Sequence, residues 1–236
     1  MIYKIESRQN QKIKDLVKLS QIKYSKEKKL FKIEGYHAFE MAEESGVLIS
    51  VFTTKEIKDI SVPQYIVTED MMALISSSKS PQGVICVCKF LKQKEVSSDK
   101  ILLLDNVSDP GNLGTLLRTA LAFGYNDVIL RGGVSQYNEK VLQSTQGAIF
   151  KLNIINDVDI RNLKEYQIIA TEIKGSVDLS TVHPKKKYVL VLGNEAHGVS
   201  KELLEIADKR VRIDINNIES LNVAVAGAIA MYELSK

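Results

Sequence analysis

Only two cysteines occur among the 236 residues, and both lie in the segment GVICVC. Cys86 and Cys88 would project from one face of a strand, where a disulfide across a single intervening residue is strained. No histidine or third cysteine lies near them in sequence to complete a zinc site. We therefore expect no metal site, and two buried thiols in a reducing compartment.

Long hydrophobic runs are also missing. The leading residues MIYKIESRQNQK are polar, and the longest apolar run, at 223–232, is shorter than a bilayer-spanning helix requires. We expect a cytoplasmic protein without a membrane anchor.

The familiar motifs of nucleotide and nucleophile sites do not occur. The apolar run ILLL at 101–104 is followed by GNLG and not by GxGxxG, and no GxxxxGK[ST] or GxSxG is present. Neither cysteine has a base beside it in sequence. His197, in GNEAHG, is a lone loop histidine, a type that most often faces solvent. These absences argue against a dinucleotide-binding domain, a P-loop enzyme and a serine hydrolase.

Positive charge is concentrated at the start of the chain. Residues 1–36 contain ten lysines and arginines against four acidic residues, whereas the whole chain carries a net charge of only +3. Such a segment indicates either a polyanionic partner or a solvated helix face.

Hydrophobic periodicity predicts alternating strands and helices throughout, and therefore an α/β fold with a largely parallel sheet in the second half. We predict domains at residues 1–94 and 101–236, joined by a charged, serine-rich linker at 95–100. Within the second, Asn112 is a candidate N-cap, a strand is expected at 211–215, and a small-residue helix should begin at Leu221.

Three segments of the second half are glycine-rich or amide-rich where strands give way to helices. They are DNVSDPGNLGTLLRTA, VLGNEAHGVS and IESLNVAVAGAIA. In this order and spacing they resemble the signature motifs of the SpoU (TrmH-type) RNA ribose methyltransferases of the SPOUT superfamily. The segments FKIEGYHAFEMA and SPQGVICV resemble, more loosely, the beginning and end of the family's N-terminal substrate-binding domain, which is related to ribosomal RNA-binding proteins.

The resemblance implies a fold and an assembly. The C-terminal domain would contain a deep trefoil knot, a rare exception to unknotted topology. The knot would form the S-adenosylmethionine pocket, the enzyme would be a homodimer, and the small N-terminal α/β domain would bind RNA.

The resemblance also implies roles for individual residues. The polar catalytic positions would be Asn112, Arg118, Glu195, Ser220 and Asn222. The cofactor-binding positions would be Thr171, Leu192, Gly193, Asn194, Ile213 and Leu221.

The implied reaction transfers a methyl group from S-adenosylmethionine to a ribose 2′-hydroxyl, without a metal. A guanidinium is essentially never deprotonated in proteins, so we interpret Arg118 as an electrostatic clamp rather than a proton acceptor. Ribosomal RNA is the expected substrate, with transfer RNA as the alternative. Two further alternatives are a non-catalytic RNA-binding relative and a base methyltransferase of a sister SPOUT family.

Overall fold

The computed structural model describes all 236 residues, which form two compact units. The first unit consists of Met1–Lys92 and Ser135–Phe150, and the second of Gln93–Val134 and Lys151–Lys236. The segment 135–150 thus belongs to the first unit, although the sequence-based boundary assigns it to the second domain. Its Tyr137 ring stacks on Phe90, with centroids 3.8 Å apart, and buried Lys32 pairs with Glu139 at 3.0 Å.

The first unit is a five-stranded sheet with helices. Its elements are β1 (Ile2–Lys4), α1 (Gln11–Lys18), α2 (Ile22–Lys28), β2 (Leu30–Glu34), α3 (Tyr36–Glu44), β3 (Leu48–Thr53), β4 (Gln64–Ile66), α4 (Glu69–Ile75) and β5 (Val84–Lys89), with α6 (Glu139–Thr145) added from the later segment. The strand order is β1-β4-β3-β5-β2. Helical spacing places Ile13, Leu16 and Val17 on one stripe of α1; Ile13 and Leu16 are buried in the core, whereas Val17 is 41% exposed.

The second unit is a seven-stranded sheet. Its elements are β6 (Lys100–Asp105), α5 (Pro110–Ala122), β7 (Asp127–Arg131), β8 (Asn153–Asn156), β9 (Gln167–Thr171), β10 (Val177–Asp178), β11 (Tyr188–Leu192), α7 (Lys201–Glu205), β12 (Lys209–Arg212) and α8 (Val223–Glu233). The order is β10-β12-β9-β11-β6-β7-β8, and every neighbouring pair is parallel. The predicted parallel sheet is confirmed.

The strand order reverses between β6 and β11. From β6 the chain proceeds outward to β7 and β8, whereas β9 and β11 lie on the other side. The loops that follow β6 and β11 therefore leave neighbouring strand ends, since Leu104 pairs with Leu192. Such switch points at the carboxyl ends of parallel strands are where α/β proteins bind ligands.

Several predicted boundaries are wrong. The N-cap of α5 is Asp109 and not Asn112, because Pro110 fits the first helical position and starts the helix earlier. Strand β12 ends at Arg212 rather than at residue 215, and α8 begins at Val223 rather than at Leu221.

The stretch predicted as a linker is bonded to the second unit. The backbone N–H groups of Ser97 and Ser98 donate to the Asp127 carboxylate at 2.8 and 2.6 Å, and β6 begins at Lys100. Burial disfavours ionisation of Asp127, but these bonds and one from Asn153 outweigh it and lower its pKa.

Both cysteines are buried and unpaired, as predicted. Burial raises the pKa of Cys86 to about 12, so its thiol stays protonated at neutral pH. No helix has the length and apolar character needed to cross a bilayer.

Candidate active site at the carboxyl ends of β6 and β11

The carboxylate of Glu195, just after β11, is the centre of a polar cluster in the second unit. It accepts hydrogen bonds from the backbone N–H groups of Ser108 (3.2 Å) and Asp109 (3.0 Å), and from the Ser108 hydroxyl (2.8 Å). The side-chain amide of Asn112 donates a further bond at 3.1 Å. The loop after β11 is thereby bound to the loop after β6.

The ionisation of Glu195 follows from these contacts. Partial burial disfavours the charged form, but the hydrogen bonds from Asn112 and from the backbone outweigh it and lower the pKa to about 2. Glu195 is therefore ionised at neutral pH and acts as an acceptor, not as a proton donor.

The side chain of Asn112 is available because Asp109 caps the helix. Asp109 Oδ1 accepts the backbone N–H of Asn112 at 2.8 Å. An asparagine acting as the cap itself would have its side-chain oxygen occupied by the backbone of its own helix. The earlier helix start thus leaves the Asn112 side chain free for other partners.

Asn112 connects the first motif to the third. Its Oδ1 accepts a hydrogen bond from Asn222 Nδ2 at 2.9 Å. Asn222 is the N-cap of α8, and its own oxygen accepts the N–H groups of Ala224 and Val225. A continuous chain of hydrogen bonds, Glu195–Asn112–Asn222, therefore joins segments that lie far apart in sequence.

The turn after β11 is compact. Asn194 and Gly198 exchange backbone hydrogen bonds of 3.0 and 2.9 Å, and Asn194 Nδ2 donates to the carbonyl of Asn106. A Cβ on Gly193 would lie 2.0 Å from the Gly198 carbonyl carbon. Glycine is thus required at 193 by the chain's own backbone.

Five of the six residues predicted to bind the cofactor lie at or just after the ends of three neighbouring strands, β12, β9 and β11, and the sixth, Leu221, lies just before α8. Thr171 ends β9 and donates to the Val191 carbonyl at 3.2 Å. Ile213 and Leu221 are half-buried. Leu192 is a buried core residue whose side chain lies against Gly227 of α8, so only its backbone is free to contact a ligand.

The loop between β12 and α8 fits an adenosine-containing cofactor. No backbone group of residues 215–221 is paired with another backbone group, so its N–H and C=O groups are available to hydrogen-bond a base edge. Half-buried Ile213 and Leu221 and exposed Ile218 supply apolar surface beside them. This combination of apolar side chains with a few free polar groups is typical of a cofactor site.

Two predicted catalytic residues lie outside the polar cluster. Arg118, in α5, is exposed and makes no hydrogen bond or ion pair. Glu195 accepts its side-chain amide bond from Asn112 and has no contact with Arg118. Ser220 is exposed and makes no side-chain hydrogen bond.

Comparisons with known proteins show the family of the chain. The sequence model described as the SpoU rRNA Methylase family matches residues 99–232, and that of the MRM3-like substrate binding domain matches residues 10–86. The chain belongs to the SpoU rRNA methylase family. The resemblance inferred from the three motifs is thus confirmed.

Individual SpoU relatives cover nearly the whole chain. One, 34% identical over 98% of both chains, is the 23S rRNA (guanosine(2553)-2′-O)-methyltransferase RlmP of Bacillus subtilis. The AdoMet-bound rRNA methyltransferase of Sinorhizobium meliloti superposes with a TM-score of 0.87 at 28% identity, covering 99% of this chain and 97% of that one. The tRNA (guanosine(18)-2′-O)-methyltransferase of Aquifex aeolicus is 35% identical over 58% of this chain and 69% of its own. This SpoU protein is accordingly an S-adenosylmethionine-dependent RNA 2′-O-methyltransferase.

Sequence reasoning missed the residues that hold the SpoU motifs in place. Ser108 and Asp109 orient Glu195 and Asn112. Buried Asp105, at the end of β6, accepts a hydrogen bond from the Ser200 N–H at 2.8 Å. This bond holds the last residue of the second motif against the end of β6. All three lie in the quoted first motif, but only the fold identifies their partners.

Proposed function

We propose that this enzyme methylates a ribose 2′-hydroxyl of ribosomal RNA, with the Glu195–Asn112–Asn222 chain as the framework of its active site. That hydrogen-bonded chain is the observation that carries the proposal, because it brings one polar residue from each of the three motifs into one cluster. Ribosomal RNA is favoured over transfer RNA because the relative that spans almost the whole chain, N-terminal domain included, is named for 23S rRNA.

The cofactor supplies a methyl group already activated on a sulfonium, so neither a covalent enzyme intermediate nor a metal is needed. The protein must align the hydroxyl, whose proton is released to solvent as the new bond to oxygen forms, and must stabilise the negative charge that develops on that oxygen. We assign that charge stabilisation to Arg118, whose exposed guanidinium has no partner within the protein. Glu195 holds Asn112 in place, and Asn112, Ser220 and Asn222 position the ribose.

Cofactor binding is assigned to the loops after β9, β11 and β12. Thr171, Asn194 and the backbone at Leu192 and Gly193 form one side, and Ile213 and Leu221 contribute apolar contact on the other. We propose that the chain is threaded here into a deep trefoil knot, which family membership and the insertion of β11 between β9 and β6 support.

We further propose a cytoplasmic homodimer formed through the second unit. The support is an apolar stripe on α8, where Val225, Ile229 and Tyr232 are 50%, 39% and 54% exposed. Their spacing places them on one helix face. A second copy of the chain would cover this face by two-fold symmetry.

The test is methyl transfer from labelled S-adenosylmethionine to unmethylated 23S rRNA and tRNA transcripts of Bacillus subtilis. We expect transfer to the 23S transcript, with the bond after the modified nucleotide resistant to alkaline hydrolysis. Labelling of tRNA alone would show that tRNA, and not rRNA, is the substrate. Labelling of a base would show that the acceptor is not the ribose hydroxyl. Labelling of neither RNA would favour a non-catalytic RNA-binding protein.

A further inference from the structure

A pair of buried tyrosines lies in the second unit, at the opposite end of β11 from the active site. Tyr125, between α5 and β7, is fully buried, and Tyr188, the first residue of β11, is 2% exposed. Their rings meet edge to face, with centroids 5.9 Å apart, and their hydroxyl oxygens lie 2.7 Å apart. Burial raises the pKa of both hydroxyls, so both keep their protons at neutral pH and can donate hydrogen bonds.

The two hydroxyls form a short chain of hydrogen bonds that ends on α8. The Tyr188 hydroxyl donates to the carbonyl of Leu234, the C-cap of α8, at 3.0 Å. Because a hydroxyl has a single proton, the hydrogen bond between the two tyrosines is donated by Tyr125. The chain Tyr125–Tyr188–Leu234 thus joins the loop that follows α5 to the carboxyl end of α8. We call it the tyrosine chain.

The tyrosine chain and the active-site chain bind opposite ends of the same two helices. At the amino ends, Asn112 of α5 accepts a hydrogen bond from Asn222, the N-cap of α8, at 2.9 Å. At the carboxyl ends, Tyr125 lies shortly after α5 and Leu234 directly after α8. Helix α8 has 11 residues and is therefore about 16 Å long. Helices α5 and α8 are thus bonded to each other directly at one end and through Tyr188 at the other.

The middle of α8 packs closely on its neighbours. A Cβ on Gly227 would lie 2.4 Å from Cδ2 of Leu116 in α5 and 2.6 Å from Cδ1 of Leu192 in β11. The helix backbone therefore lies directly on these two side chains, which fixes its distance from α5 and from the sheet. Hydrogen bonds at the helix ends resist a shift along the helix axis, so the tyrosine chain limits where Asn222 lies relative to Asn112.

We propose that Tyr125 and Tyr188 are positioning residues for methyl transfer, because they hold α8 at the place along its axis where Asn222 meets Asn112. Without the Tyr188 hydroxyl, the buried Leu234 carbonyl and the Tyr125 hydroxyl would lose their partner, and α8 would shift to find others. The inference rests on the proposed function, in that Asn112 and Asn222 position the ribose.

The first experiment compares Tyr188→Phe with the control Tyr166→Phe at a temperature where circular dichroism shows both variants folded. Tyr166 is half-buried in the same unit, and its hydroxyl donates to the Ser98 carbonyl at 2.9 Å, so the control also removes one hydroxyl-to-carbonyl bond. Single-turnover transfer is measured on whichever transcript, 23S rRNA or tRNA, the unchanged enzyme methylates. Tyr188→Phe should be about ten-fold slower, since small misplacements of reacting groups are costly. Tyr166→Phe should keep its full rate, and equal rates for the two variants would overturn the proposal.

A double variant tests whether Tyr188 acts through Asn222. Asn222→Ser keeps a capping residue for α8 but loses the amide that reaches Asn112, and should itself be at least about ten-fold slower. If Tyr188 acts through Asn222, adding Tyr188→Phe should slow the Asn222→Ser variant by less than about two-fold more. Two independent effects would instead multiply, and would show that Tyr188 has only a structural role.

Hydrogen exchange gives a measurement that does not depend on methyl transfer. The amides of Ala224 and Val225, which donate to the Asn222 side chain, should exchange faster in Tyr188→Phe than in Tyr166→Phe. Equal exchange in the two variants would contradict the proposed connection between the ends of α8. Faster exchange together with full activity of Asn222→Ser would reject the role that the proposed function gives to Asn222, but not the connection itself.

Discussion

The carboxylate of Glu195 lies 3.1 Å from the side-chain amide nitrogen of Asn112, although the two residues are 83 positions apart in sequence. Asn112 donates that hydrogen bond, and its side-chain oxygen accepts a second one from Asn222, 110 positions further along the chain. The amide is suited to this place because it donates on one side and accepts on the other. A residue with only acceptors, or with neither function, cannot satisfy both neighbours.

Asn112→Asp should disable the site at neutral pH. The substitution keeps the shape but places a second carboxylate against ionised Glu195, so a hydrogen bond is replaced by repulsion. We expect a loss of unfolding free energy of about 1–3 kcal/mol and a fall in methyl transfer of at least about ten-fold. Chemical denaturation and single-turnover kinetics measure the two effects.

Asn126→Asp is the matched control, because Asn126 is exposed and its side chain makes no hydrogen bond. Equal stability and equal activity of the two aspartate variants would show that the Glu195–Asn112 bond has no role.

Acid should remove the stabilisation that Glu195 provides. Its pKa in the folded protein is about 2, below the ordinary value of 4.5. The contribution is therefore complete above pH 4.5 and declines as pH falls from there towards 2. Glu195→Gln should accordingly have a lower melting temperature than the unchanged protein at pH 7, and the difference should shrink below pH 4.5. A difference that stays constant from pH 7 to pH 3 would contradict this assignment.

The sequence predicts the strands and the parallel sheet well, because these depend on periodicity and on local residue types. It does not predict that Asn112 is free to bind Glu195. Asparagine is as good a cap as aspartate, and only the place of Pro110 at the first helical position decides between Asn112 and Asp109.

Local sequence patterns also do not predict which residues pack together when they lie far apart in the chain. The segment 135–150 reads as part of the second domain, yet Tyr137 stacks on Phe90 in the first unit. A single aromatic residue in a polar stretch gives no sign of its partner. The same limit applies to Gly193, whose need for glycine arises from the returning backbone at Gly198.

Lysines of α1 and α2 should supply affinity for RNA without sequence preference. Lys14, Lys23 and Lys26 are exposed and have no ion pair or aromatic contact. Changing all three to Gln should weaken RNA binding and flatten its dependence on salt, because each phosphate that is no longer neutralised lowers the logarithmic slope by about 0.7–0.9. S-adenosylmethionine affinity should not change.

The matched control changes three exposed lysines near the amino ends of β9, β11 and β12, which are Lys164, Lys185 and Lys209. If both triple variants reduced the salt slope equally, the basic leading segment would have no special part in RNA binding.

Arg118→Ala should abolish methyl transfer while leaving the fold intact. The side chain is exposed and unpaired, so its removal creates no cavity and should cost at most about 1 kcal/mol of stability. Loss of a charged group directed at the reacting oxygen should lower the rate of the chemical step by about 10²–10³-fold. Arg118→Lys keeps the charge but not the planar pair of donors, and should recover activity only in part. Lys164→Ala, which removes another exposed cation of the second unit, should stay fully active. Single-turnover transfer at saturating S-adenosylmethionine makes the comparison, and near-normal rates for Arg118→Ala would exclude Arg118 as the group that stabilises the reacting hydroxyl.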